Sequence, residues 1–350
     1  MSGDGALARL NDIHWEETPC PLCQGSDHDP FQTLPSGSSA RAYHLVRCRC
    51  CSMVYLNPRP DEHTIGLLYP DEYEWYQAPE GRDTWWQSFK RRLQRRVMAR
   101  YFGNPPPLEG WHEKVAALVA SPWLRPTSES MMDLPFLGLG RLLDYGCGSG
   151  WYAKRMKDLG WHVTGMDFSS HAADQVHQTY GIPVVVGTLP HARIEPESFD
   201  VITMGSVLEH VHAPHRVIAA AAEALQPGGC LVVAVPNIGG WGYGHFGPQW
   251  WGLQLPHHLL HFTPVTLRWL LETHGLQVAE VRMVGRPNWM RRSLAQARTA
   301  DRRGLLVSLG RLRSVSSFLT RWTVRSGQAD CIQAIAYRPA RPHSALPQSA

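Results

Sequence analysis

The sequence predicts an α/β protein in which a sheet of mostly parallel strands carries helices on both faces. Between residues 141 and 236, short apolar segments alternate with segments of helical length, which is typical of βαβ units. Five strands are expected there, at 141–145, 162–166, 183–186, 199–203 and 230–235. Two more apolar segments, at 278–284 and 331–337, bring the predicted sheet to seven strands.

Helices are expected between these strands and before the sheet. Thr263-Pro264 provides an N-cap residue followed by proline at the first helical position, which predicts a helix at 264–273. The other predicted helices lie near 84–102, 111–121, 151–159, 169–179 and 213–225. The chain therefore divides into six parts. They are a cysteine-rich module (1–60), a helical connector or lid (61–137), the sheet domain (138–285), an Arg-rich helical insert (286–326), a last strand (327–338) and a disordered tail (339–350).

The composition indicates a folded protein with a sizeable core. Of the 350 residues, 43% are apolar and 18% are charged, which excludes general disorder. Apolar runs are interrupted before they reach the roughly 18 residues of a membrane-spanning helix, and the N-terminus lacks the pattern of a secretion signal. We therefore expect a cytoplasmic protein.

Positive charge is concentrated in two stretches of the chain, and the shorter one, at 90–100, has six basic residues and no acid. From 286 to 325 there are ten arginines and a single acid, Asp301. Three interpretations of this segment are open. It is a solvated helical face, a surface for peripheral contact with the anionic inner face of a membrane, or a patch for a phosphate-bearing substrate.

Cysteines are grouped near the N-terminus as Cys20-x-x-Cys23 and Cys48-x-x-Cys51, with 24 intervening residues. Disulfides are disfavoured in a reducing compartment. Two such pairs can supply four thiolates in tetrahedral geometry, which suits Zn²⁺. The sequence thus predicts a structural zinc site in a zinc-ribbon-like module, and Cys50 could replace a neighbour in a different register.

The glycine-rich turn after the first strand of the predicted sheet is the most informative stretch. Asp144 lies in that strand, and Gly146, Gly148 and Gly150 follow at alternate positions before a helix. Such a turn lets the backbone approach a ligand closely at the carboxyl end of a parallel sheet. A dinucleotide fingerprint requires glycine where this chain has Trp151, and the lysine of a phosphate-binding loop is also missing.

The end of the next strand carries a second acid. A carboxylate at the position of Asp167 can accept hydrogen bonds from both hydroxyls of a ribose. Phe168 is then placed to lie against an adenine. Two acids around a turn without phosphate-binding features predict a nucleoside ligand that lacks phosphates.

These motifs, with the segments that follow them in order, resemble the class I S-adenosylmethionine-dependent methyltransferases over about 140–283. The supporting segments are Gly187-Thr188-Leu189, 198–202, Val207-Leu208-Glu209-His210-Val211, 225–229 and 231–237. The cysteine pairs and the segment 53–60 resemble the N-terminal zinc-binding domain of one subgroup of these enzymes. That subgroup comprises proteins like methyltransferase types 11, 12 and 23. The resemblance implies a Rossmann-like sheet and a methyltransferase domain at 138–285.

The resemblance also implies how S-adenosylmethionine is bound. The three glycines would line the methionine part of the cofactor, Asp144 would support its amino end, and Asp167 would hold the ribose. Thr188 stands where these enzymes often have an aspartate that contacts the adenine amino group. The expected cofactor-binding residues are Asp144, Gly146, Gly148, Gly150, Asp167, Phe168, Thr188, Leu189 and Met204.

Histidines are the candidate catalytic residues, because methyl transfer to a hydroxyl or a carbon acid requires removal of a proton. His258 lies in 255–264, a stretch that resembles a Pro-Arg-His-Leu…His-Phe-Thr-Pro segment of the subgroup, with His257 where arginine is frequent. We expect His258 as the general base and His210, just past the fourth strand, as the second candidate. A metal site among the closely spaced histidines and histidines held by backbone carbonyls are the alternatives.

The acceptor is expected to be a small molecule. Five aromatic residues in a glycine-rich segment predict a wall of the acceptor pocket: Trp241, Tyr243, Phe246, Trp250 and Trp251. The predicted function is methyl transfer to a hydroxyl or activated carbon of a glycan precursor or secondary metabolite. A zinc-knuckle RNA methyltransferase and a non-catalytic binding protein with the cofactor fold are the alternatives. RNA is disfavoured and DNA is not expected, because residues 1–60 carry no concentrated basic surface.

Overall fold

The computed structural model describes residues 12–35, 42–70, 110–124, 136–300 and 313–341, with isolated positions between 76 and 134. Most of the helix predicted near 84–102, residues 301–312 of the Arg-rich segment and the predicted tail from 342 onwards lie outside the described residues. Within the described ranges, no helix is long and apolar enough to cross a lipid bilayer.

Thirteen strands are assigned within these ranges. In chain order they are β1 (Trp15–Glu16), β2 (His28–Leu34), β3 (Tyr43–Cys48), β4 (Val54–Leu56), β5 (Arg59–Pro60), β6 (Arg141–Tyr145), β7 (His162–Asp167), β8 (Val184–Val186), β9 (Phe199–Gly205), β10 (Leu225–Pro236), β11 (Leu260–His261), β12 (Gln277–Val284) and β13 (Cys331–Tyr337). They form a seven-stranded sheet, a four-stranded sheet and a two-stranded pair.

Eight α-helices are assigned in the described part of the chain. They are α1 (Trp111–Leu124), α2 (Trp151–Asp158), α3 (Ser170–Tyr180), α4 (Pro214–Ala224), α5 (Trp241–Phe246), α6 (Pro264–Thr273), α7 (Pro287–Thr299) and α8 (Arg313–Arg325). As predicted, α6 begins after an N-cap at Thr263, whose hydroxyl accepts the amide of Thr266, and has Pro264 at its first position. Short 3₁₀ helices lie at Ile65–Leu68, Leu208–His210, Gly247–Gln249 and Trp251–Leu253.

The central sheet has the strand order β8–β7–β6–β9–β10–β13–β12. All its neighbouring strands are parallel except that β13 runs antiparallel to both β10 and β12. Residues in the middle of the sheet, such as Ile202 and Val233, are completely buried, as expected for strands that are covered on both faces. The predicted α/β fold with seven mostly parallel strands is confirmed.

The order of connections creates a crevice at the carboxyl ends of β6 and β9. From β6 the chain moves outward through β7 to β8, and it then returns to β9 on the other side of β6. The turns that leave β6 and β9 therefore diverge, and ligands of open α/β sheets bind at such a switch point. Both acids predicted from the sequence lie there, Asp144 in β6 and Asp167 at the end of β7.

The second sheet joins the N-terminal segment to the rest of the protein. Its order is β11–β4–β3–β2, with all pairs antiparallel, and β11 comes from the segment that follows β10. Leu260 pairs with Tyr55, and the amide of Leu56 donates to the carbonyl of Leu259 at 2.9 Å. These four residues belong to one continuous apolar core with the central sheet. The N-terminal segment and the central sheet therefore stabilise one another.

Candidate active site

A cavity of about 940 Å³ lies at the carboxyl ends of β6, β7 and β9. The turn after β6 lines one side of the cavity. The segment after β9, which includes His210, lines another side. Tyr69 enters from the N-terminal segment, Arg216 from α4, and Arg286 and Trp289 from the start of α7. The cavity therefore has one end at the glycine turn and another end at basic and aromatic side chains.

Glycine is required in the turn after β6 by both backbone conformation and space. Gly146 has a φ of 75° and Gly150 a φ of 69°, in the left-handed region that favours glycine. A Cβ on Gly146 would lie 2.3 Å from the side chain of Val207, and one on Gly150 would lie 2.7 Å from Val176. The turn thus packs directly against the segment that follows β9, and its amides stay close to the cavity.

Asp167 is held in place by backbone amides. The amide of Gly148 donates to its Oδ2 at 2.9 Å, and the amide of Ser169 donates to its Oδ1 at 3.0 Å. Each carboxylate oxygen has a further lone pair for a ligand. Burial raises the pKa of this carboxyl, while the two amides act in the opposite direction. The side chain is therefore fixed at the cavity wall with unused acceptor capacity.

Asp144 is buried at the other side of the glycine turn, with 5% of its surface exposed. The Thr203 hydroxyl donates to its Oδ1 at 3.0 Å, whereas its Oδ2 has no hydrogen-bond partner among the described residues. Burial raises its pKa to about 7. A buried carboxylate oxygen without a partner beside a ligand cavity is suited to a ligand that brings a cationic donor.

Phe168 and Tyr69 form an aromatic edge of the cavity. Phe168 is about half exposed, and its ring meets the ring of Tyr69 edge-on with 5.1 Å between centroids. The Tyr69 hydroxyl lies 2.8 Å from Nδ1 of His210. Tyr69 thus connects the end of the cavity near Asp167 with the histidines.

His210 and His258 face each other with perpendicular rings whose centroids are 4.6 Å apart. Nδ1 of His210 lies 3.0 Å from the carbonyl of His257, and Nδ1 of His258 lies 2.9 Å from the carbonyl of Gly252. Burial lowers the pKa of His210 to about 4 and places that of His258 well below its ordinary value. Both imidazoles are consequently neutral at neutral pH, and both line the cavity.

Glu209 lies between these histidines and the core. Its side chain is completely buried, and neither carboxylate oxygen has a hydrogen-bond partner within the described part of the chain. Burial raises its pKa to about 8, and the positive charge of Arg286 acts in the opposite direction. One ligand atom from each of Glu209, His210 and His258 lies within 4.8 Å of the others.

The central part of the chain matches a known protein family. The family profile described as a methyltransferase domain matches residues 88–281. The chain belongs to this family. The match covers the switch point with both acids and the glycine turn, and it ends within β12.

Curated relatives of this methyltransferase match it over part of their length. A ubiquinone biosynthesis O-methyltransferase of Burkholderia vietnamiensis is 38% identical over 103 residues, which cover 28% of this chain and 44% of that protein. An enzyme of the same name from Burkholderia thailandensis is 30% identical over 154 residues, covering 41% of this chain and 66% of that protein. The chain thus spans less than two thirds of the length of these relatives.

A solved structure is also similar to this methyltransferase. An S-adenosylmethionine-dependent methyltransferase from Mesorhizobium loti shares 21% sequence identity, with a TM-score of 0.42, and the alignment covers 59% of this chain and 94% of that one. A superposition of this quality adds nothing to the family assignment, which depends on the profile match.

The structure brings most of the predicted cofactor-binding residues of this methyltransferase to one cavity. Thr188 and Leu189 line it together with both acids, Phe168 and the first two glycines of the turn. Gly150 and Met204 lie outside the cavity wall. Met204 is completely buried in the core, and the residues after it, Gly205 and Ser206, line the cavity instead.

The aromatic residues between 241 and 251 do not form the predicted acceptor wall. The cavity-lining residues include none of the five, and the segment forms α5 and two 3₁₀ helices instead of an open loop. Trp250 is buried, and its indole N–H donates to Asp330 at 3.2 Å. Other rings of this set contact distant side chains, as Tyr243 does with Phe31 and Trp251 with Arg292, so the acceptor end is lined by residues from elsewhere.

Several cavity residues were not assigned to the site from the sequence, among them Tyr69, Arg216 and Trp289. Tyr69 and Arg216 lie far from the glycine turn in sequence, and Trp289 is in the Arg-rich segment, where charge alone drew attention. Long-range packing brings them together, which a local pattern does not reveal. Glu209 did carry a signal, because it directly precedes His210 in the segment that supported the family resemblance.

The four cysteines of the two pairs come together as predicted for a zinc site. The Sγ atoms of Cys20 and Cys51 are 3.5 Å apart, and those of Cys23 and Cys48 are 3.4 Å apart. All four lie within 4.8 Å of one another. Sulfur atoms about 2.3 Å from a tetrahedral Zn²⁺ are separated by about 3.8 Å, so this donor set fits zinc. Cys50 is exposed and outside the group.

Proposed function

We propose that this protein is an S-adenosylmethionine-dependent methyltransferase that methylates a hydroxyl group of a small molecule. The observation that carries the proposal is the pair of buried acids around the glycine turn, Asp144 with an unpartnered oxygen and Asp167 with unused acceptor capacity. The family assignment supports methyl transfer, and the names of the curated relatives support oxygen as the acceptor atom.

The residues around the turn suit the three parts of the cofactor. When bound, S-adenosylmethionine supplies a methyl group on a positively charged sulfur. Asp167 would accept the ribose hydroxyls, and the half-exposed ring of Phe168 would pack on the adenine beside Thr188 and Leu189. The free oxygen of Asp144 would accept a hydrogen bond from the amino group of the methionine part, directly or through water.

The acceptor would occupy the other end of the cavity. His210 and His258 lie there with neutral imidazoles, and the Arg216 and Arg286 side chains line the same region. Such a lining suits a small molecule with a hydroxyl group and an anionic or aromatic portion. A glycan precursor or a secondary metabolite remains the predicted acceptor class.

We further propose that a structural Zn²⁺ binds Cys20, Cys23, Cys48 and Cys51. The spacing of the four sulfur atoms supports this assignment. The ion would fix the turn that precedes β2 and the turn that follows β3, and it has no role in methyl transfer.

Cofactor binding tests the proposed function directly. Calorimetric titration of the purified protein with S-adenosylhomocysteine should give one binding site per chain. Replacement of Asp167 by alanine should weaken binding by at least a hundredfold, since two charge-assisted hydrogen bonds of about 1.5–3 kcal/mol each are lost. The matched control is Asp158→Ala, which removes a partly exposed aspartate of α2 outside the cavity. Equal affinity in the wild type and Asp167→Ala, or no binding by the wild type, would contradict the proposal.

A further inference from the structure

We propose that Glu209, His210 and His258 bind a divalent metal ion at the acceptor end of the cavity, where the ion holds the hydroxyl group that is methylated. This inference extends the proposed function and depends on it for the identity of the acceptor. The ion is distinct from the zinc proposed for the cysteines, because the two groups share no residue.

The spacing of the three side chains allows a single ion to reach all of them. Their ligand atoms lie within 4.8 Å of one another. Ligands about 2.0–2.1 Å from a tetrahedral ion are separated by about 3.3 Å, so the triad must close by roughly 1.5 Å at most.

The hydrogen bonds of both histidines leave a lone pair available for a metal. A carbonyl oxygen can only accept, so the contact of His258 with the Gly252 carbonyl assigns the proton of that ring to Nδ1. The contact of His210 with the His257 carbonyl favours the same tautomer, in which the Tyr69 hydroxyl accepts from the same Nδ1–H. Nε2 of each ring is then unprotonated. Metal-binding histidines are oriented in this way by a backbone carbonyl on the second nitrogen.

Glu209 would supply the negative charge of the site by releasing its proton when the cation binds. Its carboxylate is completely buried, and both oxygens lack hydrogen-bond partners among the described residues. An unpaired buried carboxylate is costly. The positive charge of Arg286 acts on the Glu209 carboxyl. Cys331 interacts electrostatically with Glu209, and the ring of His261 lies 6.3 Å from that of His258. A bound cation would compensate the carboxylate directly.

The ligand set indicates the class of metal. Two imidazole nitrogens and one carboxylate oxygen suit Zn²⁺, Fe²⁺, Co²⁺ or Mn²⁺ better than Mg²⁺ or Ca²⁺, which prefer oxygen ligands. Three protein ligands leave positions for water or substrate. His210 and His258 line the cavity, whereas Glu209 is buried behind its wall, so an acceptor in the cavity would reach the ion from the side of the histidines.

The ion would activate the acceptor without a basic histidine. Coordination of the hydroxyl oxygen lowers its pKa, and its proton leaves to water. The oxygen then forms a bond to the methyl carbon, the carbon–sulfur bond breaks with its electron pair remaining on sulfur, and neutral S-adenosylhomocysteine is the second product. The neutral state of both imidazoles is compatible with this role.

Manganese binding provides the test, because Mn²⁺ avoids thiolate ligands and reports the nitrogen and oxygen site alone. Metal-depleted full-length protein is first reconstituted with one equivalent of Zn²⁺, which fills the cysteine site. It is then titrated with Mn²⁺, and electron paramagnetic resonance measures the concentration of free Mn²⁺ at each step. We expect one Mn²⁺ per wild-type chain and an affinity reduced by at least about tenfold in Glu209→Gln and in His258→Asn. The matched control is His257→Gln, which alters a neighbouring imidazole outside the triad.

Two results would overturn the metal site. Either the wild type binds no Mn²⁺ although the cysteine site is filled, or both triad variants bind it as tightly as the wild type. The Glu209 and His258 variants serve as independent tests if one of them fails to fold, as judged by thermal unfolding. S-adenosylhomocysteine affinity is measured in the same samples. Cofactor binding without Mn²⁺ would reject the metal site alone, and Mn²⁺ binding without cofactor binding would reject the proposed function.

Discussion

At the scale of single residues, Asp144 is the group whose protonation is most closely linked to ligand binding. Burial raises its pKa from 3.8 to about 7 in the protein without ligand, and the nearby charge of Asp167 adds to the shift. Because the folded state favours the protonated acid, the ligand-free protein loses stability as the pH rises from 3.8 to about 7. An amino group bound at Oδ2 would reverse this preference.

The affinity for S-adenosylhomocysteine should therefore depend on pH. We expect a constant dissociation constant above about pH 7 and a loss of affinity below it, approaching tenfold per pH unit, because Asp144 must release a proton when the cationic amino group binds. Calorimetry at pH 6 in buffers of different ionisation enthalpy should detect this proton release.

Asp144→Asn separates the contribution of this residue from that of Asp167, whose pKa is also raised by burial. The variant should bind more weakly at pH 8 and show a flatter pH profile between pH 5.5 and 8. A profile as steep as that of the wild type would show that Asp144 is not the titrating group.

The sequence predicted individual residues well where the pattern was local. Asp144, Gly146 and Gly148 lie on one continuous strand and turn, and their spacing alone placed them at the cavity. Met204 was expected at the site from the family resemblance, yet its side chain is buried in the core and only the residues after it line the cavity. The direction of a side chain at the end of a buried strand depends on packing, which the sequence does not state.

At the scale of elements, β11 links the proposed zinc site to the proposed acceptor site. It pairs with β4, and β4 pairs with β3, which ends at Cys48. His258 lies two residues before β11, and the amide of Leu259 donates to the carbonyl of Glu209 at 2.8 Å. A change at the cysteines can thus reach the histidines through a short run of backbone hydrogen bonds.

Loss of the zinc should consequently loosen β11 as well as the N-terminal strands. In a Cys20→Ser, Cys23→Ser double variant, amide hydrogen exchange in β3, β4 and β11 should accelerate by at least tenfold, about 1.4 kcal/mol in opening free energy. Exchange in β6 and β9 should change little. Mass spectrometry of peptides covering 43–56 and 255–262 measures both regions.

The control for this experiment is Cys50→Ser, since Cys50 is exposed and outside the four-sulfur group. It should retain one Zn²⁺ and the exchange rates of the wild type. The proposed connection would be contradicted if amide exchange accelerates in residues 43–56 of the double variant while exchange in residues 255–262 stays at the wild-type rate.

The elements of the central sheet were predicted because each strand is a continuous apolar run flanked by a helical segment. The predicted bounds 141–145, 264–273 and 331–337 agree with β6, α6 and β13. β2 was not predicted, because its burial pattern is mostly exposed and it contains a proline. β11 has two residues and pairs across about 200 positions of sequence, so no local signal identifies it.

At the scale of the whole molecule, three parts of the chain close one cavity. The central sheet supplies the two acids and the glycine turn, the N-terminal segment supplies Tyr69, and α7 supplies Trp289. The sequence predicted the first part and the family resemblance. It also predicted a connector or lid at 61–137, but it did not assign Tyr69 or Trp289 to the site, because their positions depend on the packing of distant segments against the carboxyl ends of the strands.

The central claim is that this cavity holds S-adenosylmethionine with its ribose on Asp167, and a crystal structure with S-adenosylhomocysteine tests it most directly. We predict density in the cavity with both ribose hydroxyls within hydrogen-bond distance of the Asp167 carboxylate and the amino group next to Oδ2 of Asp144. Density for the ligand at another place, or a ribose that makes no contact with Asp167, would contradict the account.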